Sequence, residues 1–206
     1  MELKRFLEKL SSDTPTPGGG SASALAGALS ASLVAMVAGL SSKKTRTKKK
    51  GMEEIRKKGL SIQKRLYRAI DEDSNSYDAV LEAFRLPRNS ERERLRRSRE
   101  IQKAYRRATL TPQLVCHQSV QLLEYSKALI SKGNPNAISD VGVAAFLAEA
   151  ALLGGILNIK INLGAVTDKN FSKKMNMLMK NWERERNRRM KPIHKKLFGT
   201  RRFKGI

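Results

Sequence analysis

Two features of this chain have the residue types and spacing for chemistry: a lone carboxylate and a glycine turn. Asp73 interrupts a helical apolar stripe that runs through Ile55, Ile62, Leu66, Ala69, Ile70, Tyr77, Val80, Leu81 and Phe84. A carboxylate on that side is at least partly buried. Burial raises a carboxyl pKa unless a partner compensates, and a raised carboxyl suits proton transfer near neutral pH. A structural aspartate bonded to a neighbouring helix fits the same pattern equally well. The turn is Thr14-Pro15-Thr16-Pro17-Gly18-Gly19-Gly20-Ser21. Proline fixes its own dihedral and glycine fixes none, so this is not regular structure. It feeds straight into Ser21–Leu40, an almost wholly small and apolar run. The backbone N–H groups at that helix start are free to face an anion or a polar ligand. A flexible connector with no ligand is the plainer reading of a glycine run.

Other polar residues sit where polarity needs a reason. Asn158 and Asn162 are four apart, so they share a face of an apolar helix and need hydrogen-bond partners, either another helix or a bound heterocycle. Glu149 lies among alanines and calls for a basic partner. Asp140 falls at or just before a helix start, where the backbone dipole favours a negative charge. Lys43–Lys50 carries six like charges in eight residues, which makes it a solvated loop, a frayed helix start or an anchor for an anionic tail. His117 and His194 are far apart and Cys116 is the single cysteine, so neither a zinc site nor an internal disulfide is expected. A lone cysteine also fits a reducing interior, and MELKRFLEKLSSD lacks the apolar core of a signal peptide.

The elements that must position these residues are all helical. Leu3, Phe6, Leu7 and Leu10 mark a short first helix, and Ser21–Leu40 a second that is buried all round. Its apolar part is at the short edge of a membrane span, roughly 17–25 residues, in a strongly charged chain, and a buried core helix is the better reading. A long helix runs from Met52 to Leu86 and stops at Pro87. Ser90 and Glu93 form a capping box for an arginine-rich helix. Thr111 with Pro112 opens the next one, and Gly133 closes it. A second small-residue helix follows GNPNAISD, and a last helix begins after Asp168 and is interrupted at Pro192. No stretch alternates with period two. The expectation is an all-α bundle of about six or seven helices around two small-residue helices, residues 1–190, with a mobile basic tail at 191–206. With 42 Lys plus Arg against 19 Asp plus Glu the net charge is +23, a field that attracts polyanions.

Three segments together resemble the cyclodeaminase/cyclohydrolase family, the domain fused to formiminotransferase in the bifunctional animal enzyme. They are TPTPGGGSASALAGALSASLVAMVAGLS, DEDSNSYDAVLEAFRLP and GNPNAISDVGVAAFLAEAALLGGILNIKINL, in the family's order. The resemblance implies an all-helical cytoplasmic homodimer acting on one-carbon tetrahydrofolates, mono- or polyglutamylated, without metal or redox cofactor. One family activity closes formiminotetrahydrofolate to methenyltetrahydrofolate with loss of ammonia. The other hydrolyses methenyltetrahydrofolate to formyltetrahydrofolate. Carried over residue by residue, Gly18, Gly19, Gly20 and Ser21 line the site, and Asp73 and Asp140 are the acid/base pair. Tyr77, Asn158 and Asn162 hold the pterin or orient those carboxylates, and Lys43 and Lys44 draw in the glutamate tail. The rival of another class is a basic helical nucleic-acid-binding protein. It rests on the net charge and the basic runs, and makes no use of the triglycine turn or of Asp73.

Overall fold

The computed structural model describes residues 2–42 and 46–199, those from 46 to 49 by backbone only. Seven α-helices make up this part of the chain: α1 (Leu3–Leu10), α2 (Gly19–Ser42), α3 (Arg46–Arg85), α4 (Glu91–Ala108), α5 (Leu110–Lys132), α6 (Ile138–Leu163) and α7 (Lys169–Phe198). A single 3-10 turn at Pro135–Ala137 precedes α6, and no strand occurs among the described residues.

The two small-residue helices, α2 and α6, run antiparallel against each other. Ser30 donates its hydroxyl to the Ala144 carbonyl at 2.7 Å, and Asn134 N donates to Ser41 Oγ at 2.8 Å near the opposite end. Both are long and apolar enough to cross a membrane by length and composition alone. Their alanine-rich sides are instead closed by neighbouring helices: Ala24, Ala31, Ala38, Ala145, Ala148 and Ala151 are all fully buried. Serines are tolerated in such a helix because Ser23, Ser32 and Ser41 return their hydroxyls to carbonyls one turn back. Helix α3 lies close against α2. At Gly59 a side-chain carbon would stand 3.2 Å from both the Ala31 carbonyl and Ala35 Cβ, so glycine sets that spacing.

Three boundaries differ from the sequence reading. Helix α5 opens at Leu110 rather than behind Thr111. Thr109 ends α4 and leads directly into α5 in a helical conformation, leaving Thr111 buried and Pro112 in the first turn. There the missing proline N–H has no helical partner to lose. Gly133 does end α5, but in an extended conformation. The larger correction is at Pro192, which does not end α7. The helix runs on to Phe198, so residues 191–198 belong to the fold and not to a separate tail. Packing outweighs the lost hydrogen bond: Ile193 and Leu197 are buried, and Leu197 lies on Gly142 of α6. The rings of Phe146, His194 and Phe198 form a cluster with centroids 5.6–6.2 Å apart.

Ile193 is fully buried. Replacing it with alanine is expected to cost about 2–4 kcal/mol, read as a lower midpoint in urea unfolding. A segment outside the fold would leave the midpoint where it is.

Candidate active site

The start of α2 is the floor of the site. The Gly18 carbonyl is the first of the helix and accepts from Ala22 N at 3.0 Å, so Gly19, Gly20 and Ser21 form its first turn. Asp73, midway along the C-terminal half of α3, places its carboxylate against that turn. The Ser21 hydroxyl is 3.0 Å from Asp73 Oδ2 and 2.9 Å from the Ile70 carbonyl, and the Ser21 backbone N–H also donates to the carboxylate. Ser74 Oγ is 3.4 Å from the same hydroxyl. The seat exists because residue 20 is glycine: a Cβ there would stand 2.6 Å from Asp73 Cγ and collide with the carboxylate oxygens. Burial pushes the Asp73 carboxyl up from its ordinary value. The two donations from Ser21 pull it down and do not offset the burial.

Helix α6 forms the second wall. Asn158 lies across from Gly19, its Nδ2 3.9 Å from where a Gly19 side chain would begin, and it donates to the Gly154 carbonyl at 2.8 Å. One turn further, Asn162 donates to the Ala108 carbonyl at 3.0 Å and so ties α6 to the α4–α5 junction. With both amide groups used internally, the two carboxamide oxygens face no donor among the described residues. Tyr77 stands one turn beyond Asp73 on α3 and is exposed. An apolar hollow lined by Phe6, Leu25, Tyr67 and Ile70 opens one turn to the other side of Asp73.

The structure thus brings Gly20, Ser21 and Asp73 into contact at the Gly18–Ser21 turn, with Asn158 facing Gly19, while Tyr77 and Asn162 stand one helical turn further along α3 and α6. It does not bring Asp140 to them. Asp140 is in the first turn of α6, one turn before the Ala144 carbonyl that receives Ser30. Because α2 and α6 are antiparallel, that point lies ten or more residues along α2 from Gly20, about 15 Å or more. Its charge complements the α6 dipole, and it is not a partner of Asp73 within one chain. Lys43 and Lys44 lie outside the described residues. They follow Ser42, which is about 33 Å along α2 from Gly20. Glu149 does have its basic partner, Arg186 Nε at 3.6 Å, away from the site. His117 is exposed and bonds to Gln121 at 3.0 Å.

The sequence profile described as formiminotransferase-cyclodeaminase matches residues 2–181, nearly all of the described fold and every residue of this site. The chain belongs to that family. A methenyltetrahydrofolate cyclohydrolase of Methylorubrum extorquens is 35% identical over 172 residues, covering 82% of this chain and 83% of that protein. The formimidoyltransferase-cyclodeaminase of Mus musculus is 30% identical over 174 residues, which cover 84% of this chain and 32% of the mouse protein. The chain therefore spans about a third of that longer relative. Among solved structures, a formiminotetrahydrofolate cyclodeaminase from Thermotoga maritima superposes with a TM-score of 0.87 at 27% identity, over 97% of this chain and 96% of that one.

The Gly20–Asp73 contact separates two neighbouring glycines by experiment. Gly20→Ala is expected to lower the melting temperature, because the new methyl group displaces a half-buried carboxylate from its donors. Gly19→Ala meets nothing closer than 3.9 Å and is expected to hold or raise it, by up to about 1 kcal/mol of helix propensity. Equal melting temperatures would mean that the carboxylate is not seated on this turn.

Proposed function

We propose that this chain is a one-carbon tetrahydrofolate enzyme of the cytoplasm that closes formiminotetrahydrofolate to methenyltetrahydrofolate and releases ammonia. The observation that carries the reading is a carboxyl raised by burial and locked by Ser21 onto the start of α2. Ring closure needs protons moved over a short path. The N10 lone pair attacks the formimino carbon carried on N5, and N10 sheds a proton as that bond forms. The departing amino nitrogen gains a proton, its bond to carbon breaks, and ammonia leaves a methenyl bridge. Asp73 serves as the group that takes the first proton and returns the second. Its Oδ2 accepts from the Ser21 hydroxyl, which holds the carboxyl in place for both transfers. The carboxamide oxygens of Asn158 and Asn162, with Tyr77, hold the pterin across the cleft.

Hydrolysis of the methenyl bridge is the second reading, favoured by the relative named as a cyclohydrolase that shares nearly its whole length with this chain. The same carboxyl supports it. Water adds to the bridging carbon and gives up a proton, and the carbon–N5 bond breaks as N5 is protonated, leaving the formyl group on N10. Both routes pass through a tetrahedral carbon between two folate nitrogens. Absorbance of the methenyl chromophore separates them, by its appearance from the formimino substrate or its accelerated loss.

A homodimer completes the reading. The outward sides of α2 and α6 form one apolar face, with Leu29, Met36, Leu153, Leu157 and Ile161 exposed. Patches of that kind mark association surfaces.

Asp73→Asn is expected to reduce turnover by roughly 10²–10⁴-fold while helicity is retained. Near-normal turnover would remove Asp73 from the chemistry. The same variant carries a stability signature. A carboxyl raised above its ordinary 3.8 binds more proton folded than unfolded, so its contribution weakens as pH rises through the folded pKa. The melting temperature of Asp73→Asn relative to the parent is therefore expected to climb as pH rises above the ordinary carboxyl value of 3.8, with little difference at the acid end. For the dimer, light scattering is expected to give twice 23.1 kDa, or 46.2 kDa, for the parent, and one chain for a Leu29→Arg/Leu157→Arg double variant. A parent of single-chain mass would eliminate the homodimer.

A further inference from the structure

We infer that the outer side of α7 is a binding surface for the phosphate backbone of a nucleic-acid duplex. The inference stands apart from the Asp73 site and does not rest on the folate reading.

Helix α7 carries eleven lysines and arginines against two glutamates. Their placement sorts them into two groups. Lys173, Lys180, Arg184, Arg188, Lys191 and Lys195 follow one another at helical spacing. At about 100° per residue they fall within about 80° of arc, and they run for about 33 Å along the helix. All six are exposed. Met175, Trp182 and Ile193, which are buried, stand on the opposite side. No acid shares the arc, since Glu183 and Glu185 lie on its two flanks. The stripe depends on the continuity of α7 through Pro192, which keeps Lys191 and Lys195 in line with the rest.

The second group is already paired. Arg186 reaches Glu149 at 3.6 Å, and Arg189 reaches Glu124 at 2.8 Å and also pairs with Glu185. These arginines face the fold and tie α7 to α5 and α6. On the outer stripe Arg188 has an acid, Glu185 at 2.8 Å, while the other five cations make no ion pair among the described residues. Like charges along one side of a helix repel one another, and a polyanion laid along them relieves that repulsion. Four of the six, from Arg184 onward, lie beyond residue 181, where the family match ends.

Length and chemistry select the partner. A stripe of about 33 Å is close to one turn of a duplex, roughly 34–36 Å. A duplex carries a phosphate charge about every 1.7 Å of its axis, so each cation meets one. Single strands are held by bases stacked on aromatic rings, and no residue on this arc between Lys173 and Lys195 is aromatic. A helix that lies on a membrane sinks an apolar face into the lipid. The apolar face of α7 is buried inside the fold, and Met177 is the one exposed apolar side chain on the stripe. Contacts of this kind read backbone and charge, not base sequence.

The net charge of +23 attracts any polyanion, so the test must separate the stripe from the total. Fluorescence anisotropy measures binding of mixed-sequence DNA and RNA duplexes of about two turns, and sedimentation measures binding of phosphatidylcholine–phosphatidylserine vesicles. The proteins are the parent, Lys180→Gln/Arg184→Gln/Lys191→Gln/Lys195→Gln, and a control that loses the same charge from exposed positions on α3, Lys57→Gln/Lys64→Gln/Arg65→Gln/Arg68→Gln. Melting curves check that each variant folds. The parent is expected to bind duplex with a Kd of about 10⁻⁶ M near physiological salt, and log K to fall on log salt with a slope of about −5. The stripe variant is expected to bind at least about tenfold more weakly with a slope of about −2, and the control to stay within about twofold of the parent. Arg184→Gln alone is expected to reduce the slope by about one, which keeps the test open should the quadruple variant unfold. Either duplex bound in this pattern sustains the inference, and the tighter one names the partner. No duplex binding by the parent, equal losses in the two quadruple variants, or binding to vesicles alone would overturn it.

Discussion

The contact between Asp73 and the first turn of α2 is the constraint on which the site depends. It joins a carboxylate, the hydroxyl and backbone N–H of Ser21, and a glycine whose missing Cβ makes room for them. It also fixes the longitudinal register of α2 against α3, since Ser21 bonds at once to Asp73 and to the Ile70 carbonyl. A helix start and a burial-raised carboxyl pull in opposite directions, the dipole favouring charge and desolvation opposing it. Burial is the larger effect here. A carboxyl held in that balance can change its protonation state without leaving its seat.

The antiparallel pair of α2 and α6 supplies the rigidity behind this contact. Alanine, glycine and serine let the two backbones approach, and most hydroxyls are absorbed by carbonyls of their own helix. The price of that closeness is a helix pair with little side-chain bulk, so α3, α5 and α7 must close around it with Leu66, Leu122, Leu123, Trp182 and Ile193. The remaining side, through Leu29, Leu157 and Ile161, is the part of the apolar surface that no helix of the same chain covers.

The basic excess is distributed rather than clustered in one run. Much of it stands on the outer faces of α4 and α7. There some arginines are tied to glutamates or carbonyls, as Arg189 is to Glu124 and Arg97 is to the Phe84 carbonyl. A large positive charge spread in this way raises the local concentration of anionic ligands, whatever the chemistry at the centre.

Periodicity alone was enough to establish an all-helical chain, the order of its elements and the two small-residue helices at its core. A 3.6-residue repeat records which side of a helix is buried, and a Ser-x-x-Glu box fixes an end by local bonds. It also singled out Asp73, because a charge on an apolar stripe breaks the pattern, and Asn158 with Asn162 for the same reason. What it could not decide was which distant residues meet. Gly20 and Asp73 are joined by the packing of α2 on α3, and nothing local to either requires it. Asp140 looked equally suitable by residue type, yet the antiparallel run of α2 and α6 carries it away from the site. Pro192 reads as a helix stop because the lost N–H is a local fact. The burial of Ile193 and Leu197 that carries α7 through it is a tertiary one. Local sequence encodes conformation and amphipathicity. The composition of a site is decided by which faces pack together.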